Sequence, residues 1–345
     1  MVPTLSNGYA KVPPELFLKR IDMNRLMIID AHNQFLRSYI VDPSLSANGQ
    51  PIGGSKGFLK ILNKLTRVIQ PDMTVVVWDG EGGSQKRRSQ NKNYKQGRKP
   101  IRLNRDIRHL TEEQESENKI WQQMRAIEYL NQTPIVQFME PRVEADDVIS
   151  HIAQSNHFSE WQKVIVSSDK DFFQLLDDKT ILYRPTQDQV LNKKKVIEEY
   201  SIHPRNFALA RALAGDNSDN LRGVPGVGLP TVAKRFPFFS EDKECYIDDV
   251  IEYCERQETG LKVYARVLEE VETVKSNYKL MQLYAPSISV QGRTRINETL
   301  KLHVPEFNKT SLRKLMHEDG IGEISLNSLF ESFNRSVSNF KLLVF

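Results

Sequence analysis

Residues 143–153 read VEADDVISHIA, and they place Glu144, Asp146 and Asp147 at the start of an apolar-periodic run. The same habit recurs along the chain. VIVSSDKDFFQLL, residues 164–176, carries Asp169 and Asp171 behind a β-branched run. ALAGDNSDN, residues 212–220, carries Asp216 and Asp219. Upstream, LMIID ends on Asp30 and VVVWD ends on Asp79. So many carboxylates repel one another if held close without a cation. Oxygen-only donors suit hard divalent ions, magnesium first and manganese as a substitute. Taken singly, each acid has a plainer reading. Asp169 and Asp171 could cap a helix starting at Phe172, and Glu144 to Asp147 could complement the positive end of theirs. The repetition in strand-end context favours the metal.

Outward from these acids the chain alternates strands and helices. Arg25–Asp30, Thr74–Trp78, Ile135–Phe138 and Val164–Ser167 read as strands. Between them, Gly53–Val68, a stretch from about Glu113 to Leu130, and Glu144–Gln154 read as helices. This alternation predicts an α/β fold with a mostly parallel central sheet flanked by helices. Acids at the C-terminal strand ends then sit where open α/β sheets bind ligands. Helical spacing puts Glu144 and Asp147 on one face and turns Asp146 away from both. After about residue 195 the pattern becomes mostly helical.

The bulk numbers narrow the classes. With 345 residues, 39% of them hydrophobic, the chain is long enough for two domains and a sizeable core. Mean hydropathy is −0.49. No apolar run approaches the ~20 residues of a membrane helix, and the first twenty residues lack the apolar stretch of a signal peptide. Cys245 and Cys254 lie in a polar stretch and suggest no disulfide framework, so a reducing, cytoplasmic setting is expected.

Net charge is only +4, but it is unevenly placed: ten Lys or Arg residues lie between Lys86 and Arg108, against one acid, Asp106. This run directly follows the Asp79 strand end and contains Tyr94, which makes it a candidate phosphate-backbone footprint rather than a merely solvated loop. RGVPGVGLPTVAKRF, residues 222–236, then sets Gly223, Gly226 and Gly228 between two short helices, with Lys234 and Arg235 a turn beyond. Glycines there would let backbone N–H groups approach a phosphate closely. The plain alternative is an ordinary inter-helix turn.

LMIIDAHN, VVVWDG, VEADD, SSDKDFFQLL and LAGDNSDNLRGVPGVG, in that order, resemble the flap endonuclease and 5′→3′ exonuclease family, in its bacterial and phage-type branch. The resemblance runs from about Met23 to Phe236. It implies a PIN-like 5′-nuclease domain over residues 23–200, with a helical arch at about 84–118. A helical DNA-binding region over 201–345 would contain a helix–three-turn–helix at about 206–240. It further implies two metal ions: the earlier acids hold one, Asp169, Asp171 and Asp216 the other, with Asp146 between them. Arg87, Tyr94, Lys95 and Arg98 match the arch motif, and Lys95 and Arg98 would steady the scissile phosphate. A helix would set those two on one face. Three features depart from the pattern: residues 1–22 are an extension, Trp78 stands where a Phe is usual, and the last hundred residues match nothing placed.

The expected activity is metal-dependent cleavage of phosphodiesters near the 5′ end of DNA or an RNA primer, in primer removal and flap processing. Expected partners are DNA with a 5′ flap or nick and RNA/DNA primer duplex, met by a monomer that needs no membrane. K⁺ is a candidate at the glycine hairpin. A sliding clamp or single-strand binding protein would be supplied by a replicating cell. SLFESF, residues 328–333, could dock a clamp or equally pack on the core. Two other classes compete. A non-catalytic DNA-structure binding protein would be expected to lose metal ligands. A small-molecule phosphohydrolase of the phosphoaspartate type needs an acid where this chain has His32.

Overall fold

The computed structural model describes residues 23–98, 101–107, 109–257 and 260–344. The N-terminal extension, Lys99 and Arg108 lie outside the described residues. Six strands form the central sheet: β1 (Arg25–Asp30), β2 (Met73–Trp78), β3 (Val136–Met139), β4 (Gln162–Val166), β5 (Thr180–Arg184) and β6 (Gln189–Leu191). Their order is β3-β2-β1-β4-β5-β6, with every pairing parallel except β5 with β6.

Alternation along the central strands divides the core in two. Leu26, Ile28, Val75 and Val77 face one layer; Met27, Ile29, Val76 and Trp78 face the other. Both faces are covered by helices, which is why these strands read as continuous apolar runs. The first layer is closed by Ala145–Ala153 and Phe207–Ala214, with Phe236 and Leu300 in the same cluster. The second is closed by Ala31–Val41, Gly53–Ile69 and Glu112–Leu130, joined by the last two helices, Lys309–Glu318 and Asn327–Val344. Both hydrophobic layers therefore include residues beyond 201. Leu329 and Phe333, the apolar anchors of SLFESF, are 1% and 2% exposed, and Phe333 packs edge-on against Phe307. That face is consumed by the core, so the clamp-docking reading of residues 328–333 is corrected.

The basic segment departs from expectation more deeply. Among the described residues between Gln85 and Ile107, helix is confined to Gln85–Gln90, and turns follow through Gly97. The Asn91 side chain accepts from the Asn93 amide at 2.9 Å, Lys95 sits at φ 55 and Gly97 at φ 75. An Asx turn and two left-handed residues compete successfully with the helix. Helix resumes at Glu112, behind a capping box made by Thr111 and Gln114. Lys95 and Arg98 thus share no helical face.

Candidate metal centre and nucleic-acid interface

The sheet order reverses between β1 and β4, and the crevice at such a switch point is where an α/β sheet binds its ligand. Asp30 ends β1 there, with a side chain that caps the next helix. It accepts from the Asn33 amide at 3.1 Å and from the Ser167 hydroxyl at 2.9 Å. Ser167, just past β4, also accepts from the Asp169 amide at 3.1 Å, and Asp169 in turn accepts from the Asp171 amide at 2.9 Å. Asp79, past β2, accepts from the Ala145 amide at 2.9 Å, which sets the N-terminus of the VEADD helix against it. Asp146 in that first turn lies within electrostatic reach of Asp169 and Asp30. Asp171, Asp216 and Asp219 bring oxygens within 4.8 Å of one another.

The charges are uncomfortable together. Burial, then Asp79 and Asp169, pushes Asp30 up to about 7. Burial and Asp169 push Asp171 up to about 7 as well. Asp146 rises well above the carboxylate range, by burial, then Asp169 and Asp30. Asp216 goes the other way, because Arg211 and Ser218 outweigh its burial. Crowded carboxylates that raise one another's pKa, with oxygen as the donor type, fit hard divalent cations.

Glu144 and Asp147 play a different part. Glu144 accepts from Ser84 Oγ at 2.7 Å, Lys95 Nζ at 2.7 Å and the Tyr94 hydroxyl at 3.0 Å, and it pairs with Arg87. Asp147 accepts from the Ser287 amide at 2.7 Å and pairs with Arg87 at 3.1 Å. The shared face read from helical spacing is real, but it serves to anchor the basic segment and the 286–288 turn. Arg211 and Arg98 engage Asp171, Asp216 and Asp219 in the same way, so these contacts leave Glu144 and Asp147 among the candidate metal ligands. Tyr94 and Arg87, expected at the nucleic acid, are turned inward onto these acids in this structure. Tyr94 is 3% exposed, packed with Leu221, Leu280 and Met281. The Arg87 side chain is 11% exposed between its two acids.

Lys95 and Arg98 do reach the acids. Besides its bond to Glu144, Lys95 donates its backbone N–H to the Asp219 carbonyl at 2.9 Å. Arg98 pairs with the Asp219 carboxylate and donates to the Ser218 carbonyl at 3.1 Å. A cleft of about 580 Å³ opens beside them, lined by Asp79, His32, Arg88, Lys92, Lys95 and Arg98. Arg88 and Lys92 were visible in the sequence only as members of a run. Arg211, which donates to Asp171 at 2.7 Å and pairs with Asp216, carried no signal, being a lone cation in an alanine-rich helix.

The glycine turn follows Phe207–Ala214 and a two-residue ladder, Gly215–Asp216 with Leu221–Arg222, and leads into Leu229–Arg235. Gly223 is needed internally: a Cβ there would meet the Ala214 carbonyl oxygen at 2.3 Å. This packing demand accounts for the glycine independently of any phosphate contact. Gly226 and Gly228 are exposed, and Gly226 sits at φ 76. Lys234 is exposed and Arg235 half-buried on the second helix. Asn277 ties the unit together, donating to the Ala212 carbonyl at 3.1 Å and to the Arg222 carbonyl at 2.8 Å.

Carboxylates gathered at a switch point and faced by a cationic cleft define an α/β protein able to bring hard cations to a polyanion. Residues 25–201, over half of the chain, match the family described as 5′-3′ exonuclease, N-terminal resolvase-like domain, and the chain belongs to that family. It is accordingly a nuclease of the 5′–3′ exonuclease class. It is 25% identical over 318 residues to a 5′-3′ exonuclease of Aquifex aeolicus, covering 91% of this chain and 96% of that protein. To a 5′-3′ exonuclease of Buchnera aphidicola it is 29% identical over 227 residues, 64% of this chain and 72% of the other. A DNA polymerase I from Caldicellulosiruptor bescii matches at 28% identity, over only 25% of its own length. The fold is similar to that of the T5 D15 protein co-crystallised with metal ions, at TM-score 0.59 and 19% identity over 87% of this chain and all of that one. It is also similar to bacteriophage T5 D15 flap endonuclease in a pseudo-enzyme-product complex with DNA and metal ions, at TM-score 0.61 and 19% identity, covering 86% and 98%.

Proposed function

We propose that this chain is a divalent-metal-dependent, structure-specific 5′ nuclease that hydrolyses phosphodiesters at 5′ flaps, nicks and RNA primers. One observation carries the reading. Asp30, Asp79, Asp146, Asp169, Asp171, Asp216 and Asp219 gather around the sheet's switch point, directly beside a cleft lined by basic residues. In that set, Asp30, Asp79 and Asp146 with Asp169 would hold one ion, and Asp171, Asp216 and Asp219 another, with magnesium the expected species and manganese a substitute. Such ions, when bound, supply an activated water and neutralise charge on the leaving oxygen.

The chain's own groups do the rest. Lys95 and Arg98, over the acids, would take the charge that grows on the scissile phosphate. Arg88 and Lys92 would receive neighbouring phosphates in the cleft. The exposed Gly226–Gly228 backbone, with Lys234 beyond it, would hold duplex without reading sequence, and K⁺ is a candidate there. The reading includes a monomer working in the cytoplasm of a bacterial or phage-infected cell, with a sliding clamp or single-strand binding protein as candidate partners. No helix among the described residues is long and apolar enough to cross a membrane. A small-ester phosphohydrolase would leave the basic segment and the glycine turn without work. The test is a 5′-labelled flap duplex incubated with magnesium and with chelator. Release of a labelled 5′ fragment only with magnesium is expected; an intact substrate in magnesium would overturn the proposal.

A further inference from the structure

Arg211 stands inside the acidic cluster rather than over it. It lies in the last turn of Phe207–Ala214, four residues before the Gly215–Asp216 strand, and its side chain is 12% exposed. One terminal nitrogen serves two acids from different parts of the chain: Asp171 at 2.7 Å and Asp216. Both acids belong to the group of three whose oxygens lie within 4.8 Å of one another. Its Nε is buried with no hydrogen-bond partner among the described residues. A guanidinium that leaves a buried N–H unsatisfied is held in place by charge more than by a complete set of hydrogen bonds. It also cannot lose its proton, so it is a permanent positive charge at any working pH. Among the described residues Arg211 is the cation that pairs with both Asp171 and Asp216. Arg98 approaches Asp219 from the basic segment with a half-exposed side chain, whereas Arg211 comes from the rigid helix that carries the Asp216 loop.

We propose that Arg211 is a positioning residue that fixes Asp171 and Asp216 and holds down the cation affinity of that half of the metal centre. The inference rests on the metal reading above. Two effects of opposite sign follow from one side chain. The shared nitrogen aligns carboxylates that would otherwise splay apart under their own repulsion. Its charge opposes a divalent ion sharing the same oxygens, because like charges a few ångströms apart repel even in a partly polar environment. An ion there is held loosely until an incoming phosphodiester restores the negative charge that Arg211 cancels.

The experiment is a Mn²⁺ titration of the full chain without DNA, reading free Mn²⁺ by electron paramagnetic resonance. It compares the wild type with Arg211→Gln and Arg211→Lys, with thermal melts of each protein. Arg211→Gln should tighten one class of site by about tenfold or more and leave the other class alone, since one adjacent opposing charge has gone. Arg211→Lys keeps the charge and should match the wild type in affinity. If Arg211→Gln melts normally but binds Mn²⁺ as weakly as the wild type, or more weakly, the proposal fails and Arg211 is only a structural clamp. If Arg211→Gln does not fold, a marked affinity change in Arg211→Lys would overturn it. A wild type that binds no Mn²⁺ would instead sink the underlying metal reading.

Discussion

Lys95 is a short distance from two opposite jobs. In the structure its ammonium bonds Glu144 at 2.7 Å and lies 4.9 Å from the centre of the Tyr94 ring. Glu144 keeps Ser84, Tyr94 and Arg87 if Lys95 is removed, so the anchor of the basic segment survives its loss. Lys95→Ala should therefore lower single-turnover cleavage by about two orders of magnitude, the scale of losing one charge-stabilising donor. Flap affinity should change little, because Arg88, Lys92 and Arg98 share the cleft. An unchanged single-turnover rate at saturating enzyme, with slightly weaker binding, would reduce Lys95 to a sticky surface charge. The acids make a second residue-scale prediction. Asp30 and Asp171, near 7 against an ordinary 3.8, hold protons in the fold that the unfolded chain has released. Their folded pKa is raised, so their contribution to stability falls as pH climbs from about 4 to about 7, then levels off. The metal-free variant Asp30→Asn with Asp171→Asn should gain melting temperature over wild type as pH rises through that window. A difference between the two proteins that is flat with pH would contradict the burial and repulsion assigned to these acids.

At the scale of elements, the glycine turn is a device with a specific backbone. Gly226 at φ 76 occupies a region that L side chains rarely adopt, and a Cβ would also meet Arg266 at 3.0 Å. Gly226→Val should weaken duplex binding about tenfold, equally across sequences, through strain and lost approach to the phosphate. An unaltered binding titration would make it a connecting turn. Asn277, buried against two carbonyls, should matter for stability: Asn277→Ala leaves both acceptors unmet and should cost about 1–3 kcal/mol in denaturant melts. The regular elements near the site were readable in advance because their signals are local. β1 runs over the same residues as its apolar stretch, and Gly53–Ile69 overruns its periodic pattern by a residue. The basic segment was misread because composition said cation and resemblance said helix, while Asn91, Asn93 and Gly97 were already favouring turns. Helical spacing separated Asp146 from Glu144 and Asp147 correctly. It could not say what each side would meet, since that depends on where Arg87 and Ser287 come to rest. Arg211 was invisible for the same reason: its partners lie 40 and 5 residues away, and only the packed helix brings them together.

The whole molecule sets a basic surface beside an acidic floor. Phosphate contacts from the segment beginning at Lys86 and from the glycine turn should make DNA binding strongly salt-dependent, with a log–log slope of about 0.9 per phosphate contacted. A flat plot would mean that neither surface touches the backbone. The central claim is that the floor performs the chemistry while the grip lies elsewhere, and Asp169 and Asp171 are the residues at which the two parts separate. The most direct measurement is paired cleavage and binding on a 5′-labelled flap duplex in magnesium, comparing wild type with Asp169→Asn plus Asp171→Asn. The account predicts that cleavage is abolished while affinity stays within about threefold, a change of under 1 kcal/mol. Full turnover by the double variant would contradict it.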